Sequence, residues 1–291
     1  MHYEGTVIRP PSEANSIILQ VSIGCSHNRC TFCGAYQDKQ FRLRNVDDIN
    51  RDIAFAGQYC RRQKTLFLAD GNVLALPHRF LVDLFNKIRH KLPWVRRISM
   101  YGGCRDILNR SVDQLTELKK LGLGRLYMGL ESGHDPTLVA VKKGATAEEM
   151  VAAGRRVRAA AIFLSVTCLL GLAGDRQATS LAHAKDTADV LNRIQPSQIA
   201  ILTLMLLDNT ELGQKAQRGE FSLPDKQQLF IELRTLIAGL SDFRTLVQAN
   251  HSSNYFQLDG RLPRDKEKFL FIIDQALSGA IGIKPEYLRA L

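Results

Sequence analysis

Ser16-Ile-Ile-Leu-Gln-Val-Ser-Ile23 runs through Gly24 into Cys25-Ser-His-Asn-Arg-Cys30-Thr-Phe-Cys33, so an apolar stretch of strand length ends in three cysteines. A strand that delivers thiols at its end puts a metal site at the end of a sheet. The number of thiols then narrows the metal. Structural zinc normally takes four protein ligands, whereas three cysteines on a cube of four irons leave one iron open for a substrate or cofactor. On these residues alone a Cys3His zinc knuckle that recruits His27 is the alternative.

The remaining composition is that of a globular protein. The chain has 291 residues, 45% hydrophobic and 23% charged, enough for one large domain or a domain with an appendage. Net charge is +10 and uneven: residues 1–100 hold 15 Lys or Arg against 8 Asp or Glu, the remainder 24 against 21. Such a bias attracts anionic substrates or nucleic acid. Arg61, Arg62, Lys87, Arg89 and Lys91, however, fall near expected helix ends, where cations complement the helix dipole, and no basic tract carries interleaved aromatics. RNA binding is therefore open but not favoured. The start, Met1-His-Tyr-Glu-Gly-Thr6, lacks the features of a signal peptide, and the longest apolar run, Ile162 to Ala173, is too short to span a bilayer. Cys60, Cys104 and Cys168 lie far apart, and clustered thiols fit a reducing compartment. The expectation is a cytoplasmic protein without membrane association.

Short β-rich runs alternate with helical patterns, as in βα units around a parallel sheet. Strands are expected at Ile17–Ile23, Thr65–Ala69, Arg97–Tyr101, Arg125–Leu130, Phe163–Leu169 and Gln198–Leu204. Helix starts follow from Asn45 before Asp47 and Asp48, and from the capping-box patterns Ser111-Val-Asp-Gln114 and Thr146-Ala-Glu-Glu149. After Leu206 the pattern turns to helices at Glu211–Arg218, Pro224–Leu240 and Arg264–Ser278, with a strand expected at Thr245–Gln248. We divide the chain into a lead-in over 1–15, a core over 16–205 and a C-terminal helical region over 206–291 packed on that core.

The cysteine spacing is C-x4-C-x2-C, with Phe32 just before the last cysteine. It resembles the radical SAM superfamily, whose usual signature is C-x3-C-x2-C with an aromatic in that place. The extra residue costs on the order of 0.2 kcal/mol in loop closure, so it does not exclude a three-cysteine cluster. The resemblance implies an α/β fold, a partial (β/α)6 TIM-like barrel with a mainly helical C-terminal extension. It also implies one oxygen-sensitive [4Fe-4S] cluster on Cys25, Cys30 and Cys33, S-adenosylmethionine (SAM) chelating the open iron, and an electron donor such as flavodoxin or ferredoxin. The implied reaction is reductive SAM cleavage to a 5′-deoxyadenosyl radical that abstracts hydrogen from a substrate the resemblance does not identify; a small molecule is expected, and an anionic one would suit the positive charge of residues 1–100.

Ligands of parallel βα folds collect at the carboxyl ends of strands, and successive strand-end segments here follow the family's order. Ala69-Asp70-Gly71-Asn72 resembles the glycine-rich segment that meets the SAM amino group, with Asp70 or Asn72 as acceptors and Gly71 allowing close approach. Tyr101-Gly-Gly-Cys104-Arg105 places polar or reactive groups at the mouth: Tyr101 and Cys104 as catalytic candidates, Arg105 toward the cofactor. In Gly129-Leu-Glu-Ser-Gly133 and Lys142-Lys-Gly144, Glu131 and Ser132 are expected on the ribose hydroxyls and Lys143 on the SAM carboxylate. This segment is shared with the branch that includes methylthiotransferases and the tRNA-modifying elongator subunit. Thr167-Cys-Leu-Leu-Gly171-Leu-Ala-Gly174 resembles the turn that lies close to adenine, with Thr167, Gly171 and Gly174 as contacts, while Phe32 and Tyr36 shield the cluster and adenine. In the polar run Asn250-His-Ser-Ser-Asn-Tyr-Phe-Gln257, His251 and Tyr255 are expected to face substrate. Whole-chain resemblance is to radical SAM proteins grouped with oxygen-independent coproporphyrinogen oxidases. A cluster- or zinc-bearing binding protein and an RNA-modifying enzyme remain the alternatives.

Overall fold

The computed structural model describes residues 1–290. The chain forms two compact bodies, the first of Met1–Asn28, Ala35–Met128 and Arg155–Leu164, the second of Arg29–Gly34, Gly129–Gly154 and Ser165–Leu291.

In the first body, β1 (Ile17–Gln20), β4 (Thr65–Ala69), β5 (Arg97–Tyr101) and the opening residues of β6 (Leu123–Glu131) are parallel neighbours in that order. All but the first residue of β4 are buried, as expected of a parallel strand covered on both faces. The stretch expected as one strand divides at Val21. Its tail becomes β2 (Ser22–Ile23), antiparallel to β3 (Arg42–Leu43), and the cysteine loop hangs between these two. Helices α1 (Val46–Tyr59), α2 (His78–Lys91), α3 (Cys104–Leu108) and α4 (Val112–Lys120) complete this body. Asn45 caps α1 through Asp47 N–H, and Ser111 with Gln114 closes a capping box on α4. In α2, Leu81, Leu84, Phe85 and Ile88 are buried at one-face helical spacing.

The lead-in belongs to this body. Glu13, in a single 3-10 turn (Pro11–Glu13), is fully buried. It accepts hydrogen bonds from Arg97 at 3.0 and 3.1 Å, the Tyr127 hydroxyl at 2.7 Å and the Ser16 hydroxyl at 2.5 Å. Arg44, also fully buried, donates to Asp52 at 2.5 Å and to the His2 carbonyl at 2.6 Å.

In the second body, β7 (Phe163–Leu170, from Ser165 onward), β8 (Gln198–Thr203) and β9 (Thr245–Ala249) are parallel neighbours, and β10 (Leu258–Leu262) adds antiparallel to β9. Helices α5 (Asp135–Ala140), α6 (Ala147–Ala159, its first turns), α7 (Gln177–Ile194), α8 (Glu211–Gln217), α9 (Lys226–Gly239) and α10 (Lys266–Leu277) accompany them. Thr146 and Glu149 bond reciprocally at the start of α6, at 3.2 and 2.7 Å. The six expected strands are present, and the class is the mixed α/β partial barrel. Beyond α8, α9 and α10, the C-terminal region also supplies the two strands β9 and β10. Strand β10, Leu-Asp-Gly-Arg-Leu, carries only two apolar residues around a glycine, so its strand form comes from pairing with β9 rather than from propensity. Among the described residues no helix is long and apolar enough to cross a membrane.

Candidate active site

In the first body the turn after β4 lies under the start of the cysteine loop. A Cβ on Gly71 would come within 2.6 Å of the Tyr36 ring and 3.1 Å of Cys25 Cβ, so glycine is what lets the strand end approach the cysteine. Asp70 is fully buried beside it. Its Oδ2 takes the Gly24 N–H at 3.5 Å and Lys39 Nζ at 3.7 Å, while Oδ1 has no hydrogen-bond partner. Burial pushes the Asp70 carboxyl above the usual range, offset in part by the neighbouring Tyr36 and Lys39. Burial, the Asp70 carboxylate and the hydroxyl's contact with it push the Tyr36 phenol far up, although the hydroxyl makes no full hydrogen bond.

Asn72, expected as a ligand acceptor, is engaged within the protein. Its Oδ1 accepts from Gly103 N–H at 3.1 Å, and its Nδ2 donates to Ser26 at 2.6 Å and Asp106 at 2.5 Å. The amide thereby ties the β4 and β5 turns to the residue after Cys25. Tyr101 packs edge-on to Phe67 with ring centroids 5.2 Å apart, and burial and Tyr127 raise its phenol. Cys104 is buried at the start of α3, with Arg105 exposed next to it.

In the second body Cys30 and Cys33 sit on a segment held by backbone bonds: Thr31 N–H donates to Val141 at 3.0 Å, and Leu212 N–H donates to Thr31 at 2.8 Å. Phe32 packs against the core group Val141, Leu169, Leu172, Leu204 and Leu212. At the end of β6, Glu131 adopts a left-handed φ of +65°, a conformation that costs a non-glycine residue about 1–3 kcal/mol. Its carboxylate folds back over Gly129, where any Cβ would collide with it, and pairs with Lys143 at 3.1 Å. Both side chains keep about a seventh of their surface exposed, 14% for Glu131 and 15% for Lys143. Ser132 departs from expectation. Its hydroxyl is fully buried, 2.7 Å from His183 Nδ1, and accepts from His134 N–H at 3.0 Å, so it points into the protein rather than toward a ribose.

Thr167 is half-buried on β7 opposite Ala200. Gly171 and Gly174 follow with φ of +80° and +78°, conformations that require glycine. The chain's own Phe221–Leu229 segment lies against both: a Cβ on Gly171 would be 3.0 Å from Leu229, and one on Gly174 would be 3.5 Å from Phe221. Farther on, Tyr255 borders a cavity of about 560 Å³ lined by Leu204, Leu223, Lys226, Leu229, Glu286 and Arg289 among others. Its hydroxyl donates to Glu286 at 2.7 Å and accepts from Arg289 at 2.6 Å, and burial together with Glu286 pushes the phenol up to about 12. His251 instead faces Ser253 at 2.9 Å, its basicity lowered by burial and Lys284.

The donor set suits the cluster inferred from sequence. Cys25, Cys30 and Cys33 are half-buried thiols, and an unsatisfied buried carboxylate oxygen lies beside Gly71 under Cys25. Among the described residues no three His, Cys, Asp or Glu side chains gather closely enough to hold a single metal ion. Lys39, Asp106, His183 and Glu232 were not found from sequence. For Glu232 a signal existed: a carboxylate on the apolar face Leu229, Phe230, Leu233, Leu236 of α9.

A family model described as the radical SAM superfamily matches residues 19–179. The 4′-phospho-dehydrooxetanocin synthase of Priestia megaterium is 26% identical over 242 residues, which are 70% of this chain and 31% of that enzyme. The solved structure of the cobalamin-dependent S-adenosylmethionine radical enzyme OxsB matches with a TM-score of 0.59 at 18% identity, over 78% of this chain and 41% of that one. Coproporphyrinogen III oxidase of Escherichia coli matches with a TM-score of 0.56 at 19% identity, over 77% and 51%. The chain thus spans 31% to 51% of these relatives' lengths.

Proposed function

Because this chain belongs to the radical SAM superfamily, a family of [4Fe-4S] enzymes that use S-adenosylmethionine, we propose that it generates a 5′-deoxyadenosyl radical and takes a hydrogen atom from a small, anionic substrate. The bound cluster and SAM supply one-electron cleavage of the bond from sulfur to the ribose 5′ carbon. Cys25, Cys30 and Cys33 would hold the cluster. Asp70 offers Oδ1 to the SAM ammonium, and Gly71 keeps that strand end close to Cys25. Lys143 and Glu131 neutralise each other and present opposite charges to the SAM carboxylate and ribose hydroxyls, while Asn72 and Ser132 steady their turns. An external reductant delivers the electron. The cavity beside Tyr255 has an apolar wall of Leu204, Leu223 and Leu229, and its charged lining is balanced, Lys226 and Arg289 against Asp225 and Glu286, with Arg289 paired to Glu286. The relatives' activities differ from one another, so the substrate is not inherited from them.

The observation that carries this reading is Asp70 Oδ1, fully buried with no full hydrogen bond and only the neighbouring Tyr36 hydroxyl in reach. Buried polar atoms are almost always bonded, and an exception at a strand end beside a thiol is what a cationic ligand satisfies. The test is electron paramagnetic resonance of anaerobically reconstituted, reduced protein with and without SAM. The expected result is a [4Fe-4S]+ signal that changes when SAM is added; protein that takes up zinc and no cluster would overturn the reading.

A further inference from the structure

Glu232 is a carboxylate in the middle of the apolar face of α9, and it is fully buried. Placing an ionised carboxylate there costs several kcal/mol unless each oxygen is bonded. Here each is: Oε1 accepts from Gly171 N–H at 2.8 Å and lies 3.4 Å from His183 Nε2, and Oε2 accepts from the Ser180 hydroxyl at 2.5 Å. His183 on α7 is itself buried, and its other nitrogen is 2.7 Å from the Ser132 hydroxyl. One protonation pattern satisfies every atom: Nε2–H donates to Glu232, Ser132 O–H donates to Nδ1, and Ser132 Oγ accepts from His134 N–H. One turn along α7, Thr187 accepts from Gly133 N–H at 2.8 Å. A Cβ on Gly133 would be 2.7 Å from Thr187 Cα, so the turn is seated directly on the helix.

The serine, histidine and glutamate have the composition of a hydrolytic triad, but all three are sealed from solvent, so no substrate reaches them. Their position points elsewhere. The chain of bonds starts at Ser132, directly after Glu131 at the end of β6, and ends on the amide of Gly171 in the turn after β7. We infer that His183 and Glu232 are positioning residues that fix these two turns relative to each other, and so set the spacing between the ribose and adenine contacts of the SAM site. The inference rests on the SAM reading above. It assigns no chemistry to either residue. Their effect is on how well the adenosyl group is held.

The test uses the reconstituted holoenzyme and the variants Glu232→Gln, His183→Gln and Ser132→Ala. It measures cluster content, the Kd for S-adenosylhomocysteine by calorimetry, and the KM and kcat of SAM cleavage. The expected result for each variant is wild-type cluster content, a Kd and KM raised about tenfold, and a kcat within about threefold of wild type, because misplaced contacts weaken binding before chemistry. Combining Ser132→Ala with His183→Gln should raise Kd no further than either alone, since both cut the same chain. Ser132→Ala leaves the buried His183–Glu232 pair intact, so it reports even if a charge-altering variant does not fold. Wild-type Kd in the folded variants, with only a lowered melting temperature, overturns this inference alone. A wild-type protein with no affinity for S-adenosylhomocysteine overturns it together with the SAM reading.

Discussion

Glu13 and Asp70 are both fully buried carboxylates in the first body, yet they are treated in opposite ways. Glu13 lies by the amino ends of β4 and β5, where Ser16, Arg97 and Tyr127 occupy both of its oxygens. Asp70 lies at the carboxyl end of β4, where one oxygen has a distant amide and lysine and the other has only the neighbouring Tyr36 hydroxyl, with no full hydrogen bond. The same chemical group is a staple at one end of a strand and a held-open acceptor at the other. Satisfied buried charges hold a fold together, and an unsatisfied one weakens it unless a ligand completes it.

Removing the staple should have the largest effect. Glu13→Ala leaves Arg97 and the Tyr127 hydroxyl without their acid and should lower stability by about 3–5 kcal/mol in urea titration, with SAM affinity of the folded protein unchanged. Asp70→Asn should do the reverse: SAM affinity falls by about 10- to 150-fold, the loss of a hydrogen bond to a charged group at about 1.5–3 kcal/mol, while apo-protein stability holds or rises. An Asp70→Asn protein that melts far below wild type would make the two carboxylates alike. Tyr36→Phe removes a buried hydroxyl that touches Asp70 without a full hydrogen bond, so its stability should change by less than about 1 kcal/mol; a larger loss would show that the contact with Asp70 holds the turn. The smallest effect is in pH. Burial raises the Asp70 carboxyl in the folded state, so the native protein keeps that proton to higher pH than the unfolded chain does. Stability from this group is therefore complete in acid and declines as pH rises through the raised value. Glu13→Ala should retain that slope and Asp70→Asn should flatten it, in melts of cluster-free protein.

The two carboxylates also mark how far sequence reasoning reaches. The bounds of β4 and β5 match the sequence expectation because short β-rich runs are a local signal, continuous and apolar in β4 and broken only by Ser99 in β5. The turn at Asp70-Gly71 is legible for the same reason, since the end of a strand is a local feature. The burial of Glu13 was not readable, since its partners Arg97 and Tyr127 lie 84 and 114 residues away. Strand β10 was missed because its form depends on β9, and the inward turn of Ser132 because it depends on His183, 51 residues on. What escaped was in each case a preference set by a partner distant in sequence, while what was seen came from neighbours.

That separation has a consequence in time. The segment before β1 is made well ahead of the residue that closes the Glu13 site, because Tyr127 is 114 residues further along. At about 5–20 residues per second of synthesis, the segment waits roughly 6 to 23 s on the ribosome before its last partner is made. Until then Glu13 lacks one of its partners, and the segment before β1 cannot complete its place in the first body.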